Sequence, residues 1–293
     1  MEILGVPMAL LASQLLVGLI NGSFYAILSL GLAIIFGLLN IINFAHGALY
    51  MMGAFVAWIG LTKFGINYWA ALVIAPVLIG LFGVVIERLL LRRLYNLDHL
   101  YGLLLTFGLS LIIEGIFRDQ FGISGQSYDV PEQLAGGVSL GFMFLPIYRG
   151  WVVVAALTVC LATWFMIEKT KLGAYLRAGT ENPQIVQALG INVPVLITFT
   201  YGFGVALAAF AGVLAAPVFQ VNPVMGSNLL IVVFAVVVIG GMGSILGSIF
   251  TGVGLGVVEG LTKVFYPEGS SIVVFVIMVI VLLVRPAGLF GKS

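Results

Sequence analysis

Two long stretches of this chain contain no Asp, Glu, Lys or Arg: residues 3–62 and residues 182–258. A charged side chain at the centre of a lipid bilayer costs about 2.5–3.5 kcal/mol even on insertion scales, so uncharged runs of this length report chain immersed in hydrocarbon. Composition agrees. Hydrophobic residues make up 62% of the 293 and charged residues 8%, whereas a water-soluble domain is about a quarter charged. At about 20 residues per span, the chain is expected to be an all-α polytopic membrane bundle of about eight to ten helices, some broken or short. That leaves one transmembrane domain over 1–293 and no room for a sizeable soluble one.

Apolar windows run approximately over 3–20, 24–39, 47–62, 68–86, 100–117, 151–167, 194–219, 229–258 and 271–284. Asn21-Gly22, Asn40 to Asn43 and Gly240-Gly241 punctuate them, so broken or tilted helices are expected at these points. Basic residues set the orientation. Arg88, Arg92 and Arg93 share one connection and Lys169, Lys171 and Arg177 another, which places both on the cytoplasmic side. The 118–149 connection between them mixes Arg118 and Arg149 with Asp119, Asp129 and Glu132, as an external loop would. Arg285 and Lys292 place the tail inside. The 229–258 stretch must then leave and return, bending near Gly241-Met242-Gly243-Ser244.

The remaining features exclude more than they assign. Twelve Lys and Arg against eleven Asp and Glu give no basic footprint for nucleic acid. Cys160 stands alone inside an apolar window, so neither a disulfide framework nor a metal cluster can be built on it. Glu2 and the lack of Lys or Arg before Lys63 differ from the basic start of a secretory signal, so the first apolar segment is expected to be retained. His46 and His99 have no zinc spacing, and no Gly-x-Ser-x-Gly elbow occurs. Gly291-Lys292-Ser293 ends like a phosphate loop, but Pro286 stands where that loop requires glycine. No catalytic residue, metal or cofactor is expected.

Three local patterns stand out. Residues 168–193 form the one extended amphipathic segment outside the apolar windows. Within it Glu181-Asn182-Pro183 starts a short helix, Ile185, Ala188 and Leu189 make an apolar stripe, and Gly190 stops it. Such a helix either docks into a groove on a cytoplasmic partner or rests on membrane lipid. Asn40, Asn43 and His46 line one side of a second segment. They either bond backbone freed at a break or line a wet cavity, because an unpartnered amide in hydrocarbon costs several kcal/mol. Glu114 and Arg118, like Glu259 and Lys263, are spaced for helix ion pairs. Gly252, Gly256 and Gly260, and likewise Gly204, Ala208 and Gly212, form small-residue faces on which helices approach closely.

Taken in order, several landmarks resemble the LivH-type permeases, membrane subunits of ABC importers for branched-chain amino acids. They are Gly22-Ser23-Phe24-Tyr25-Ala26, Ile42-Asn43-Phe44-Ala45-His46-Gly47, Ile86-Glu87-Arg88, Ala188-Leu189-Gly190-Ile191-Asn192, Gly240-Gly241-Met242-Gly243-Ser244 and Arg285-Pro286-Ala287-Gly288-Leu289-Phe290-Gly291. The likeness runs nearly end to end. It implies a permease of the bacterial cytoplasmic (inner) membrane that moves hydrophobic amino acids by ATP-driven alternating access. Its partners would be a second homologous permease, two cytoplasmic ATP-binding subunits that hydrolyse the ATP, and a periplasmic substrate-binding protein. It further implies that 168–193 is the coupling loop, with Gly173, Arg177, Ala178, Ile185, Ala188, Leu189, Gly190 and Ile191 as the positions that engage an ATPase. Asn40, Asn43, His46, Gly241 and Ser244 are then candidates for the translocation path. Permeases of similar sequence carry urea or short-chain amides. A secondary transporter or channel is the alternative from another class, and it would want carboxylates near the bilayer midplane, where this chain has almost none.

Overall fold

Backbone amides in hydrocarbon find no water to bond, so a chain of this composition satisfies them within each segment by folding into helices. A computed structural model shows eleven α-helices among the described residues: α1 Met8–Leu39, α2 Ala45–Phe64, α3 Tyr68–Leu89, α4 His99–Phe121, α5 Ile147–Lys169, α6 Lys171–Glu181, α7 Pro183–Ala188, α8 Val193–Ala215, α9 Met225–Gly240, α10 Ile245–Phe265 and α11 Val273–Val284. The structure describes every residue but 1, 4, 5, 40, 41, 96, 292 and 293, and the side chains of 2, 3, 38, 39, 180 and 181 are also outside the description. Seven of the helices are long and apolar enough to cross a membrane, and α9 and α11 are apolar but shorter. The chain is an all-α multi-pass membrane protein.

The first two windows merge where a break at Asn21-Gly22 is expected, because α1 runs unbroken for 32 residues. Gly22 serves a different purpose. A Cβ built there would lie 2.8 Å from the Val253 carbonyl oxygen and 3.1 Å from that of Gly252, so the glycine admits the backbone of α10 against α1. Gly252 returns the contact, since a Cβ on it would meet the Ala26 nitrogen at 2.6 Å. Helices in lipid gain no hydrophobic advantage from association, and close backbone approach through small residues replaces it. The bend expected within 229–258 is present: α9 ends at Gly240, α10 begins at Ile245, and Gly241 and Gly243 between them have φ of 99° and 83°. The connection between α4 and α5 is shorter than 118–149 at both ends, because the two helices extend past their apolar windows.

The chain forms two compact units. One comprises residues 1–29, 129–160 and 231–293, and holds the α1–α10 contact together with a two-stranded ribbon, Gly137–Ser139 against Phe144–Pro146. Ionic spacing is realised in this unit, where Lys263 sits 2.6 Å from Glu259 and the Tyr25 hydroxyl donates to the same carboxylate at 2.8 Å. The other unit comprises residues 30–128 and 161–230. Its core is built on Ile35, Leu49, Ile79, Ile86, Tyr201 and Val205, with α3 and α2 lying along α8. Glu114 and Arg118 pair there at 2.7 Å. Again small residues set the spacing, because a Cβ on Gly80 of α3 would lie 3.1 Å from the Gly202 oxygen of α8.

A glycine face that fits a neighbouring backbone tolerates no methyl. Gly22→Val is expected to lower stability by roughly 1–3 kcal/mol through overpacking. Gly254→Ala, on the same helix as Gly252 but with nothing within 4 Å of its Cβ position, is expected to be neutral or slightly stabilising. Denaturant titration of the purified protein in detergent checks the pair; equal midpoints for both variants would contradict the close-approach account.

Candidate functional site

The segment 168–193 folds into α6 and α7 and leads directly into α8. Each join is made by a residue suited to it. Asn182 caps α7 by accepting from the Ile185 amide at 3.2 Å, and Pro183 follows at the first helical position, where its missing N–H is not needed. Gly190 ends the helix with φ of 84°, a left-handed conformation that favours glycine. Asn192 then caps α8 through the Val195 amide at 3.2 Å. At the start of the segment Gly173 lies directly on the Ile167 carbonyl, which lets α6 turn back tightly from α5. Arg177 crosses the same turn, reaching the Ile167 oxygen and the Glu168 carboxylate, each at 3.3 Å.

The orientation of α7 decides what this segment presents. Val186, which the apolar stripe omits, is the inward anchor and is buried. Ile185 and Leu189 are 59% and 74% exposed, and Ala188 is exposed between them. Ala178 is exposed on α6, and Ile191 is half-buried at the join to α8. An apolar ridge therefore points away from the protein on a helix pinned at both ends.

A second constellation surrounds the α1–α2 break. Asn40 lies outside the described residues. Asn43 is fully buried, its Oδ1 accepts from the Ala45 amide at 3.1 Å, and its Nδ2 donates to the Tyr201 hydroxyl of α8 at 3.1 Å. Thr106 of α4 closes the same turn, accepting from the Phe44 amide at 3.1 Å and facing the Ile42 oxygen at 3.2 Å. His46 is fully buried on α2 and lies beside Gly31, where a Cβ would come within 3.0 Å of its Cε1. Asn43 thus bonds the backbone freed by the break, which was one of the two roles open to it.

The other break lies in the first unit. Ser244 caps α10 by accepting from the Gly247 amide at 3.1 Å. Gly241 has the segment 285–291 against it: the Leu289 amide donates to the Ile239 oxygen at 2.8 Å and that of Phe290 to the Gly240 oxygen at 3.2 Å. These are carbonyls at the C-terminal end of α9 that the helix itself leaves unbonded. Among the described residues no group of three or more His, Cys, Asp or Glu could hold a metal ion.

Comparison with known proteins bears on what this arrangement serves. Residues 14–282 match the family model described as "Branched-chain amino acid transport system / permease component". The chain belongs to this family. The permease protein BraD of the high-affinity branched-chain amino acid transport system of Pseudomonas aeruginosa is 32% identical, with 95% of each chain covered. LivH of the corresponding system of Escherichia coli is 31% identical over 95% of each chain. A probable branched-chain amino acid transport permease, LivH of Methanocaldococcus jannaschii, is 27% identical over 93% of this chain and 90% of its own. The protein is accordingly a permease component of a transport system, itself non-catalytic.

Sequence reasoning passed over a buried acid of this permease. Glu87, quoted only as part of the Ile86-Glu87-Arg88 landmark, is 1% exposed. The Tyr95 hydroxyl donates to its Oε1 at 2.7 Å and the Thr198 hydroxyl to its Oε2 at 2.7 Å. Burial first, then the bond to Glu87, pushes the Tyr95 hydroxyl above its ordinary value and keeps it a donor. The signal was present in helical spacing. Ala71, Ala75, Ile79, Gly83 and Ile86 make the buried face of α3, and Glu87 lies beside its last member rather than on the solvent side with Arg88. Asn43→Leu, which removes both Asn43 bonds while keeping the volume, is expected to destabilise the permease by about 1–3 kcal/mol. An unchanged unfolding midpoint in detergent would show that the α1–α2 break does not depend on this amide.

Proposed function

We propose that this permease is the membrane subunit of an ABC importer for branched-chain amino acids, driven through its 168–193 segment. The full-length relatives are named for branched-chain amino acid transport. The observation that carries the driving mechanism is the outward ridge of Ile185, Ala188 and Leu189 on α7. An exposed apolar ridge on a short, capped helix is what helix-in-groove recognition requires. Gly173, Arg177, Ala178, Gly190 and Ile191 shape or flank that ridge rather than form its apolar crest. The bound partner would be one of two cytoplasmic ATP-binding subunits, which perform the hydrolysis. A second homologous permease and a periplasmic binding protein complete the machine.

In this reading ATP binding draws the docked α7 helices of the permease pair together, and the displacement passes through Asn192 into α8. The breaks at Asn43 and His46 and at Gly241 and Ser244 are where helix ends shift as the path opens. The chain forms and breaks no covalent bond. Hydrophobic cargo suits such a path, because an apolar side chain gains little by binding in an apolar passage and is released readily. Specificity then rests mainly on the delivering protein.

Replacing the crest of the ridge separates docking from contact with lipid. Leu189→Asp is expected to leave the permease folded and membrane-inserted, since Leu189 is 74% exposed. It should lower co-purification of the ATP-binding subunits and ATP-dependent L-leucine uptake in proteoliposomes by about tenfold or more, as loss of an interface hot spot does. Wild-type uptake and wild-type subunit recovery in that variant would exclude the ridge as the docking surface.

A further inference from the structure

Glu87 poses a problem that the coupling segment answers. A carboxyl group withdrawn from water carries a desolvation penalty, and an apolar side chain of similar volume at such a site is commonly no less stable. None of the ion pairs among the described residues includes Glu87. Its partners are two hydroxyls on separate parts of the chain: Tyr95 in the connection after α3 and Thr198 in the second turn of α8. A buried ionisable residue in a membrane protein that is not an obvious gain in stability points to function.

Position supplies that function. Thr198 lies five residues into α8, about 7.5 Å along its axis from Val193, at 1.5 Å per residue. Val193 is buried and follows immediately after the Asn192 cap that receives the chain from α7. Beyond Thr198, α3 and α8 remain in close contact through Gly80 with Gly202 and Gly83 with Val205, where a Cβ on Gly83 would lie 3.0 Å from the Val205 Cβ. These glycine contacts are non-directional and allow one helix to slide along the other. The Glu87–Thr198 bond is directional and sits at the end nearest α7. Sliding under load from α7 would have to break it first.

We infer that Glu87 is a positioning residue for energy coupling: by holding Thr198 and Tyr95 together it locks α3 to α8, so that displacement of α7 moves both helices as one body. The inference rests on the proposed docking of α7 and adds what happens to the displacement inside the permease. Loss of the lock lets α8 move alone, so ATP is hydrolysed without productive opening of the path.

The test uses the complete transporter with its binding protein in proteoliposomes, scoring radiolabelled L-leucine transported per ATP hydrolysed. Thr198→Val keeps shape and removes the donor. Glu87→Gln keeps shape, but only one of its two terminal atoms can accept a hydroxyl. Both are expected to lower the leucine-to-ATP ratio about five- to tenfold, the effect of one hydrogen bond of ordinary net strength. ATP hydrolysis should stay within about twofold of wild type, since α7 and its ridge are untouched. Thr198→Ser, which restores the donor, should recover most of the ratio. A wild-type ratio in Thr198→Val and Glu87→Gln overturns the inference, whether both rates are unchanged or both fall together as a purely structural defect would make them. If the wild-type complex itself shows no ATP-dependent leucine uptake, the underlying reading fails instead, and this inference with it.

Discussion

Every polar group that enters hydrocarbon must find its partner inside the protein, and the organisation of this permease follows from where that requirement is met by helices and where it is not. Along the spans the backbone satisfies itself. At the breaks it cannot, and each break in the described residues is closed by a specific side chain or strap: Asn43 and Thr106 after α1, Ser244 before α10, and the 285–291 segment across the end of α9. These residues look like candidates for a wet path when only the sequence is in view. Their bonds in the structure show that holding a broken backbone already occupies much of their capacity.

Association between helices is handled by different means. Apolar side chains gain nothing from leaving lipid for protein, so helices are brought together by removing side chains rather than adding them. The α1–α10 face through Gly18, Gly22, Gly252 and Gly256 and the α3–α8 face through Gly80, Gly83 and Gly202 are two instances, each within its own unit. Contacts of this type depend on fit and carry little directionality, which makes them suited to surfaces that shift during a transport cycle. Hydrogen-bonded pins such as Asn43 to Tyr201 and Thr198 to Glu87 fix what the glycine faces leave free.

Much of this was legible in the residues. Absence of charge located the spans, basic clusters marked their ends, and Asn182-Pro183 with Gly190 placed α7 correctly. The bend at Gly241 to Ser244 followed from topology alone. What could not be read was which of two physical uses a residue served. Gly22 was read as a breaker, although its lack of a side chain serves α10; a glycine within an apolar run looks the same in either role. The stripe Ile185, Ala188 and Leu189 was found, but not that Val186 turns inward and leaves the stripe facing out, because which apolar side chain anchors a helix depends on neighbours distant in sequence. Glu87 was hidden by its company: an acid next to Arg88 at the end of a span reads as a loop charge until α8 is seen to cover it.

Segregation of these roles along the chain has a mechanical consequence. Within the unit that contains α2, α3, α4 and α8, the side-chain bonds of Asn43 to Tyr201, Thr106 to Phe44 and Glu87 to Thr198 gather towards the start of α8, farther along α3 and α8 meet through Gly80 and Val205, and past the ends of α4 and α8 the Gln126 and Val221 backbones exchange two hydrogen bonds. A directional bond near the start of a helix transmits force from the segment before it, and contacts set by fit farther along accommodate a change in shape. In α8 the Glu87–Thr198 bond lies at the end that follows α7 in the chain. In the proposed cycle force would enter α8 at that end, and a hydroxyl, held by a single buried carboxyl group, would pass it to α3.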